Sequence, residues 1–294
     1  MSENKITLAV IGGSRAYDLL GTESFGDTGE KPQTVKTPFG DSAPVRVFSG
    51  DGFSYRFLSR HGERGYEVAA PYVNYRANVW ALKKLGVERI LAWSGPGAIN
   101  PNIKPGDFAV PHDIIDQTKS RPSNFFEGTG IGFIRMSEPF CPEMRAASAA
   151  AVAANGVVCH DRAVYVCTEG PRLETPAEIK MFALWGADLV GMTLAPEAFL
   201  ARQMEMCYSA ICLSTNFAEG VSPREFREGE LFEGMMNEAE KERVEFSLSR
   251  LPHIIGAALH RMNGRKRGCK CGLAMERYRK NGLVTDLLTE AKEN

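Results

Sequence analysis

Arg60 and His61, adjacent in the stretch LSRHG, set a permanent cation beside a titratable imidazole. A guanidinium can grip two phosphate oxygens at once, and the imidazole adds a switchable donor. Taken alone, the pair reads more readily as a surface couple with no ligand. Small and hydroxyl-bearing residues recur where apolar runs end: Gly12-Gly13-Ser14, Ser94-Gly95-Pro96-Gly97, Thr168-Glu169-Gly170, Met192-Thr193 and Thr215-Asn216. Glycines let backbone N–H groups approach an anion, and hydroxyls add donors without bulk. In LSTNFAEG (213–220) a side-chain amide follows a strand-like run. There it either ties up a loop or reads the flat edge of a ligand.

The apolar runs predict strands over 6–11, 88–94, 107–111, 162–168, 187–193 and 207–214, with helical patterns at 73–86 and 175–185 between them. In the first helix Val73, Ala77, Trp80 and Ala81 share a face, and Gly86 supplies a stop. The second opens on Thr175, Pro176 and Glu178, a capping box with proline at the first helical position. Such alternation predicts an α/β fold, a largely parallel or mixed sheet flanked by helices. Open α/β sheets bind ligands outside the carboxyl ends of their strands, so the five strand-end clusters would line one pocket. No internal repeat is visible. One catalytic domain is expected over 1–264, followed by a basic, glycine-punctuated tail at 265–294 with no assigned role.

The 294 residues, 44% hydrophobic, can bury a sizeable core. Lysine and arginine (35) balance aspartate and glutamate (36), which gives no reason to expect nucleic acid or an anionic membrane and favours a small ligand. Seven scattered cysteines read as reduced core thiols. With no long apolar span and no targeting pattern at the N-terminus, a cytoplasmic protein is expected. The five histidines form no ligand-spaced cluster, and the lone pair Cys269-x-Cys271 cannot by itself close a tetrahedral site, so no metal is expected and the tail reads as a solvated terminus. Nucleophile elbow, P-loop and dinucleotide fingerprint are all missing. What remains is phosphate used as a reactant.

In order between Ile6 and Met262 stand IGGS, TPFG, RHG, VNYRANVWALK, SGPGAI with PGD, DQTKSRP, MSEPFCP, TEGPRLET, WGADLVGMT and APE. With these the chain resembles the trimeric purine nucleoside phosphorylases, specifically their 5′-methylthioadenosine phosphorylase branch. The resemblance implies a single domain with a central twisted mixed β-sheet flanked by helices. It implies a homotrimer or dimer of trimers with sites at subunit interfaces, partners limited to nucleoside and phosphate, and no cofactor beyond phosphate as co-substrate. The reaction would convert nucleoside and phosphate to free base and pentose 1-phosphate. Carried over singly, Ser14, Arg60, His61, Ser94 and Thr193 match phosphate-site positions. Gly95, Glu174 and Asn216 match base contacts, and Met192 matches the residue packed on the ribose. Phe133 falls where an adjacent subunit covers the sugar's 5′ end. Arg60, His61 and Asn216 would carry the catalysis.

Hydrogen-bond complementarity then bears on the base. A 6-oxopurine offers an O6 acceptor, an N1–H donor and, on leaving, an N7–H donor; an Asn216 amide and a Glu174 carboxylate match that edge, whereas adenine presents the opposite pattern. The methylthioadenosine enzymes resembled typically carry T-D-x-D where this chain reads T-N-F-A, with Ala218 last. After Asn216, the segment to Met236 contains no histidine to bond a 5′-hydroxyl, and Leu231 or Phe232 would offer apolar surface, with Arg224 or Glu225 as polar competitors. A 6-oxopurine, 5′-methylthio nucleoside such as methylthioinosine is therefore expected in nucleoside salvage. The alternatives are methylthioadenosine itself, ordinary inosine or guanosine, hydrolysis by water, which Arg60 argues against, and nucleoside binding without catalysis. Three departures stand out: Arg15 in place of the usual glycine, Pro96 in the second glycine turn, and Gly65, Tyr66 or Glu67 where a histidine is expected after RHG.

Overall fold

A computed structural model describes residues 5–13, 15–16, 28–50, 52–223, 228–231 and 233–291. In chain order the strands are β1 (Leu8–Gly12), β2 (Lys36–Thr37), β3 (Gly40–Asp41), β4 (Val45–Gly50), β5 (Phe53–Ser59), β6 (Arg89–Ser94), β7 (Gly97–Ala98), β8 (Phe108–Ala109), β9 (Asp113–Gln117), β10 (Cys159–His160), β11 (Val164–Thr168), β12 (Leu189–Gly191), β13 (Cys207–Leu213) and β14 (Asn216–Phe217). The helices are α1 (Tyr75–Lys84), α2 (Pro142–Ala154), α3 (Pro176–Leu184), α4 (Leu194–Gln203), α5 (Glu238–Met262), α6 (Glu276–Lys280) and α7 (Leu287–Glu290).

The expected α/β fold is present, with strands distributed over two main sheets. Seven strands lie in the order β10-β8-β13-β6-β1-β5-β4 and five in the order β14-β7-β12-β11-β9. Buried along their whole length, β1, β6 and β13 read as largely apolar runs, with Arg89, Ser94 and Ser209 the polar residues among them, as strands between helical layers do. Parallel pairing of Gly12 with Ser59 and of Ser94 with Cys212 sets their carboxyl ends side by side. Pro96 has no N–H to continue a ladder, so β6 stops and the chain re-enters at Gly97 in the second sheet, where it faces Val190. The step from β13 to β14 makes the same crossing and pairs Asn216 with Gly97. Two chain segments thus stitch the sheets together at the point where all the strand ends meet.

Helix α1 places Ala77, Trp80 and Ala81 in the core, and the Asn74 side chain caps Ala77 N. Gly86, at a φ of +85°, makes the left-handed turn that ends it. The capping box at Thr175 and Glu178 is formed on α3. An antiparallel pair, β4–β5, was not among the expected strands, although its alternating residues and the D-G dipeptide at 51–52 are hairpin signals. No described helix is long and apolar enough to cross a membrane.

The tail is not the solvated terminus that its charge suggests. Met275, Tyr278, Val284 and Leu287 are buried within the main core cluster, and Glu205 accepts from the Arg279 guanidinium and from Met275 N. Nor are the cysteines simply dispersed: Cys141, Cys207, Cys269 and Cys271 gather their sulfurs within 4.8 Å of one another.

Candidate active site

Arg60 follows β5 directly, and its side chain is fully enclosed. Nε and Nη2 donate to the two Glu197 carboxylate oxygens at 2.8 and 2.7 Å, and Nη1 donates to Trp93 O at 3.0 Å. Side-chain exposures of 0% and 1% mark a buried ion pair, which Tyr208 completes by donating its hydroxyl to Glu197 at 2.6 Å. Burial alone would lower the guanidinium pKa; the charge and hydrogen bonds of Glu197 outweigh it and hold Arg60 above its ordinary value. With three of five N–H groups engaged, the end-on edge of the fork remains. That edge lies under the Gly12-Gly13 turn: a Cβ on Gly13 would meet Nη1 at 2.9 Å and overlap Trp93 O, so only glycine fits. The side-on grip expected of Arg60 is therefore taken by Glu197, and an anion would meet only the remaining edge.

His61 is buried and stacked on Tyr66, with ring centroids 4.2 Å apart. Nδ1–H donates to Val68 O at 2.8 Å, which leaves Nε2 an acceptor near the Tyr66 hydroxyl. Burial, then the neighbouring Arg60 charge, push its pKa down to about 4. The expectation of a switchable donor is thereby corrected: near neutral pH His61 is a neutral ring whose Nε2 lone pair faces the Tyr66 hydroxyl at 3.4 Å. Tyr66 occupies the space beside it.

Ser94, Thr168 and Thr193 follow at neighbouring strand ends. Ser94 Oγ bonds the Tyr165 hydroxyl at 3.2 Å, and that hydroxyl also engages the Thr193 backbone. Thr193 Oγ1 is buried with no hydrogen-bond partner among the described residues, a donor in want of an acceptor. Arg121, within DQTKSRP, fixes the geometry of this edge: its guanidinium donates to the carbonyls of Thr168, Glu169, Met192 and Ala195 and to the Tyr75 hydroxyl. Neither Arg121 nor Glu197 is flagged by residue type in the sequence. Their only signal is membership of the DQTKSRP and APE motifs.

On the other side of the seam, Asn216 Oδ1 accepts from Thr215 Oγ1 at 2.8 Å and Nδ2 donates to Phe217 O at 2.8 Å, with a long contact to Met235 Sδ. An amide makes four hydrogen bonds, so one lone pair remains open and the second N–H is held only by the weak acceptor Met235 Sδ. The loop-tying reading of this residue is seen directly in these bonds. Glu174 is buried and accepts from the Thr168 hydroxyl. Their chain neighbours Leu173 and Phe217 line one cleft with Ala218, Leu231 and Met235. Gly95 lies at the base of this seam, its carbonyl facing the Thr215 hydroxyl. Met192, half-buried, packs its sulfur against Gly170, where a Cβ would collide with it.

The single chain does not enclose Phe133, which is 85% exposed on a loop whose backbone the Tyr278 hydroxyl clasps from both sides. Ser14, Arg224, Glu225 and Phe232 lie outside the described residues. Arg15 adopts a φ of +61°, which explains why glycine is usual there, and turns its charge away to Glu245 at 2.8 Å.

A model of the phosphorylase superfamily matches residues 7–249. The chain is 41% identical over 273 residues to the 6-oxopurine nucleoside phosphorylase of Pyrococcus furiosus, covering 90% of this chain and 97% of that one. It is also 41% identical over 268 residues to a probable S-methyl-5′-thioinosine phosphorylase of Methanothermobacter thermautotrophicus, covering 91% and 88%. Among solved structures, a methylthioadenosine phosphorylase from an antarctic soil metagenomic library superposes with a TM-score of 0.82 at 29% identity, over 94% of this chain and 92% of the other. The buried cation, the strand-end hydroxyls and the half-spent amide thus sit in a chain that belongs to the phosphorylase superfamily, in its purine nucleoside and methylthioadenosine phosphorylase branch.

Proposed function

We propose that the protein splits purine nucleosides with inorganic phosphate, releasing the base and a pentose 1-phosphate, and that it favours 6-oxopurine nucleosides carrying a 5′-methylthio group. The observation that carries the proposal is the Arg60 guanidinium, locked by Glu197 and lying under a glycine turn that admits no side chain. Ser94 follows Trp93, whose carbonyl Arg60 grips, and its hydroxyl meets the Tyr165 hydroxyl that also engages the backbone of Thr193, whose own hydroxyl is unpartnered among the described residues. Together they form a dianion site of fixed donors.

Phosphate held on Arg60, Ser94 and Thr193 attacks C1′ from the face opposite the base, as the glycosidic bond opens toward an oxocarbenium-like sugar. No covalent enzyme intermediate is required. His61, neutral and too weak a base to be protonated near pH 7, accepts a hydrogen bond at Nε2 from the phosphate's own hydroxyl. As the departing base takes a proton from solvent at N7, Asn216 accepts from that N7–H and turns its second N–H from Met235 Sδ to O6, and Glu174 accepts from N1–H. Pre-set donors and acceptors of this kind are typically worth about 2–4 kcal/mol each in the barrier. Phe133 of a neighbouring copy closes over the 5′ substituent of the sugar, which makes a homotrimer part of the proposal. Salvage of nucleosides within the cytoplasm is the setting that free thiols suit. The names of the two relatives, one a 6-oxopurine enzyme and one a thioinosine enzyme, support this substrate class.

A panel of methylthioinosine, inosine, methylthioadenosine and adenosine at saturating phosphate tests the base and 5′ assignments. The expected order of kcat/KM places methylthioinosine first and adenosine last. Faster turnover of methylthioadenosine than of methylthioinosine would sink the base assignment.

A further inference from the structure

We propose that Cys141, Cys207, Cys269 and Cys271 hold one zinc ion as a structural tetrathiolate site that fastens the C-terminal segment to the catalytic domain. The four sulfurs come from three stretches far apart in sequence. Cys141 is the residue before α2, Cys207 opens β13, and the C-x-C pair lies beyond the end of α5. All four lie within 4.8 Å of one another, and the Cys207 and Cys269 sulfurs are 3.4 Å apart.

A tetrahedral zinc–thiolate site, with Zn–S of about 2.3 Å, sets its sulfurs about 3.8 Å apart. Sulfur separations between 3.4 Å and 4.8 Å need changes of at most about 1 Å to reach that geometry. A disulfide at about 2.05 Å would join sulfurs in twos, whereas here four converge on one point. A set of four thiolates selects zinc or iron–sulfur chemistry, and four sulfurs so close together surround a single ion rather than a cluster. Cys141, Cys207 and Cys271 are buried and Cys269 is half-buried, so the site is dry with one open edge for metal entry.

Charge supports the same occupant. Four cysteine thiols and Zn²⁺ give a complex of charge −2 with release of four protons, and no electrons are transferred. Such an anion needs cations nearby. Arg202 acts on Cys271 electrostatically, Lys270 separates the two tail ligands, and Arg265, Lys266 and Arg267 precede them. Past the site, Arg279 binds Glu205 and Tyr278 clasps the Phe133 loop, so the ion anchors the segment that holds this loop.

The test uses the full chain, purified without chelator and never exposed to added reductant. Elemental analysis should find one zinc per chain, and all seven thiols should titrate after denaturation with chelator. Metal-depleted protein should take up one equivalent of zinc from a buffered solution, and cobalt in its place should show thiolate charge-transfer and tetrahedral ligand-field bands. The double variant Cys269→Ser, Cys271→Ser should drop zinc to background, while Cys159→Ser, outside the cluster, keeps it. If the double variant fails to fold, the wild-type measurements decide. Fewer than seven titratable thiols, bound iron instead of zinc, failure of depleted protein to take up zinc, or equal zinc in the double variant would each overturn the proposal.

Discussion

Replacing Glu197 by glutamine separates a catalytic cation from the residue that positions it. The two partners lie 137 residues apart in sequence and meet with side-chain exposures of 0% and 1%. Glutamine keeps the shape and the acceptor for Tyr208 but turns one of the two oxygens facing Arg60 into a donor. One bidentate bond is lost, N–H opposes N–H, and the guanidinium charge is left buried without its counter-ion. Breaking a buried pair from one side costs about 3–5 kcal/mol, and the retained shape argues for the lower end. With about 2–4 °C of melting temperature per kcal/mol for a domain of this general size, Glu197→Gln should melt roughly 6–12 °C below the wild type. The freed guanidinium also loses its aim at the Gly12-Gly13 turn, so kcat/KM for phosphate should fall by at least about tenfold, while the KM for nucleoside at saturating phosphate changes little. Scanning calorimetry and initial rates over a phosphate series measure both effects. A variant that melts within about 2 °C of the wild type and saturates with phosphate as before would refute the reasoning.

The base assignment predicts that Asn216→Asp, which exchanges a donor for an acceptor, lowers the ratio of kcat/KM for inosine over adenosine by at least about tenfold; an unchanged ratio removes Asn216 from base reading. Phe133→Ala should raise the KM for methylthioinosine by about tenfold, from the lost burial of a thioether, and leave that for inosine nearly unchanged. Equal shifts for both would show that the ring does not touch the 5′ substituent. For His61, the folded pKa of about 4 lies below the unfolded value, so the unfolded chain binds the extra proton between these values. Stability should therefore hold above pH 6.5 and fall as the pH drops toward 4, and His61→Gln should flatten that slope. An NMR titration of the His61 ring in phosphate-free buffer with a midpoint near 6.5 would contradict the neutral imidazole.

The strand ends were legible because each carries its chemistry in residue type, and because parallel pairing leaves little freedom in how their carboxyl ends align. Gly12, Ser94 and Thr168 could be placed from apolar runs alone, the stop at Gly86 bounded the end of α1, and the capping box at Thr175 and Glu178 bounded the start of α3, each within about two residues. What stayed hidden depends on long-range tertiary contact. Nothing near Arg60 in sequence announces Glu197, and the bonds Arg121 makes to four backbone carbonyls leave no pattern in residue spacing. The protonation of His61 is set by burial, which local sequence does not report. The cysteines show this most clearly: Cys269-x-Cys271 looks incomplete until β13 and the start of α2 bring Cys207 and Cys141 beside it. The hairpin β4–β5 was readable from its alternation, but it serves chiefly to carry the chain to Arg60 and drew no notice as chemistry.

The role of phosphate as nucleophile is tested most directly by following inosine or methylthioinosine with purified protein, in buffer scrubbed of phosphate and then with phosphate restored, and identifying the sugar product. Base release should depend on phosphate, saturate with it, and yield pentose 1-phosphate in equal amount to free base. Base release at the same rate without phosphate, with free pentose as the product, would contradict a phosphorolytic site built on Arg60.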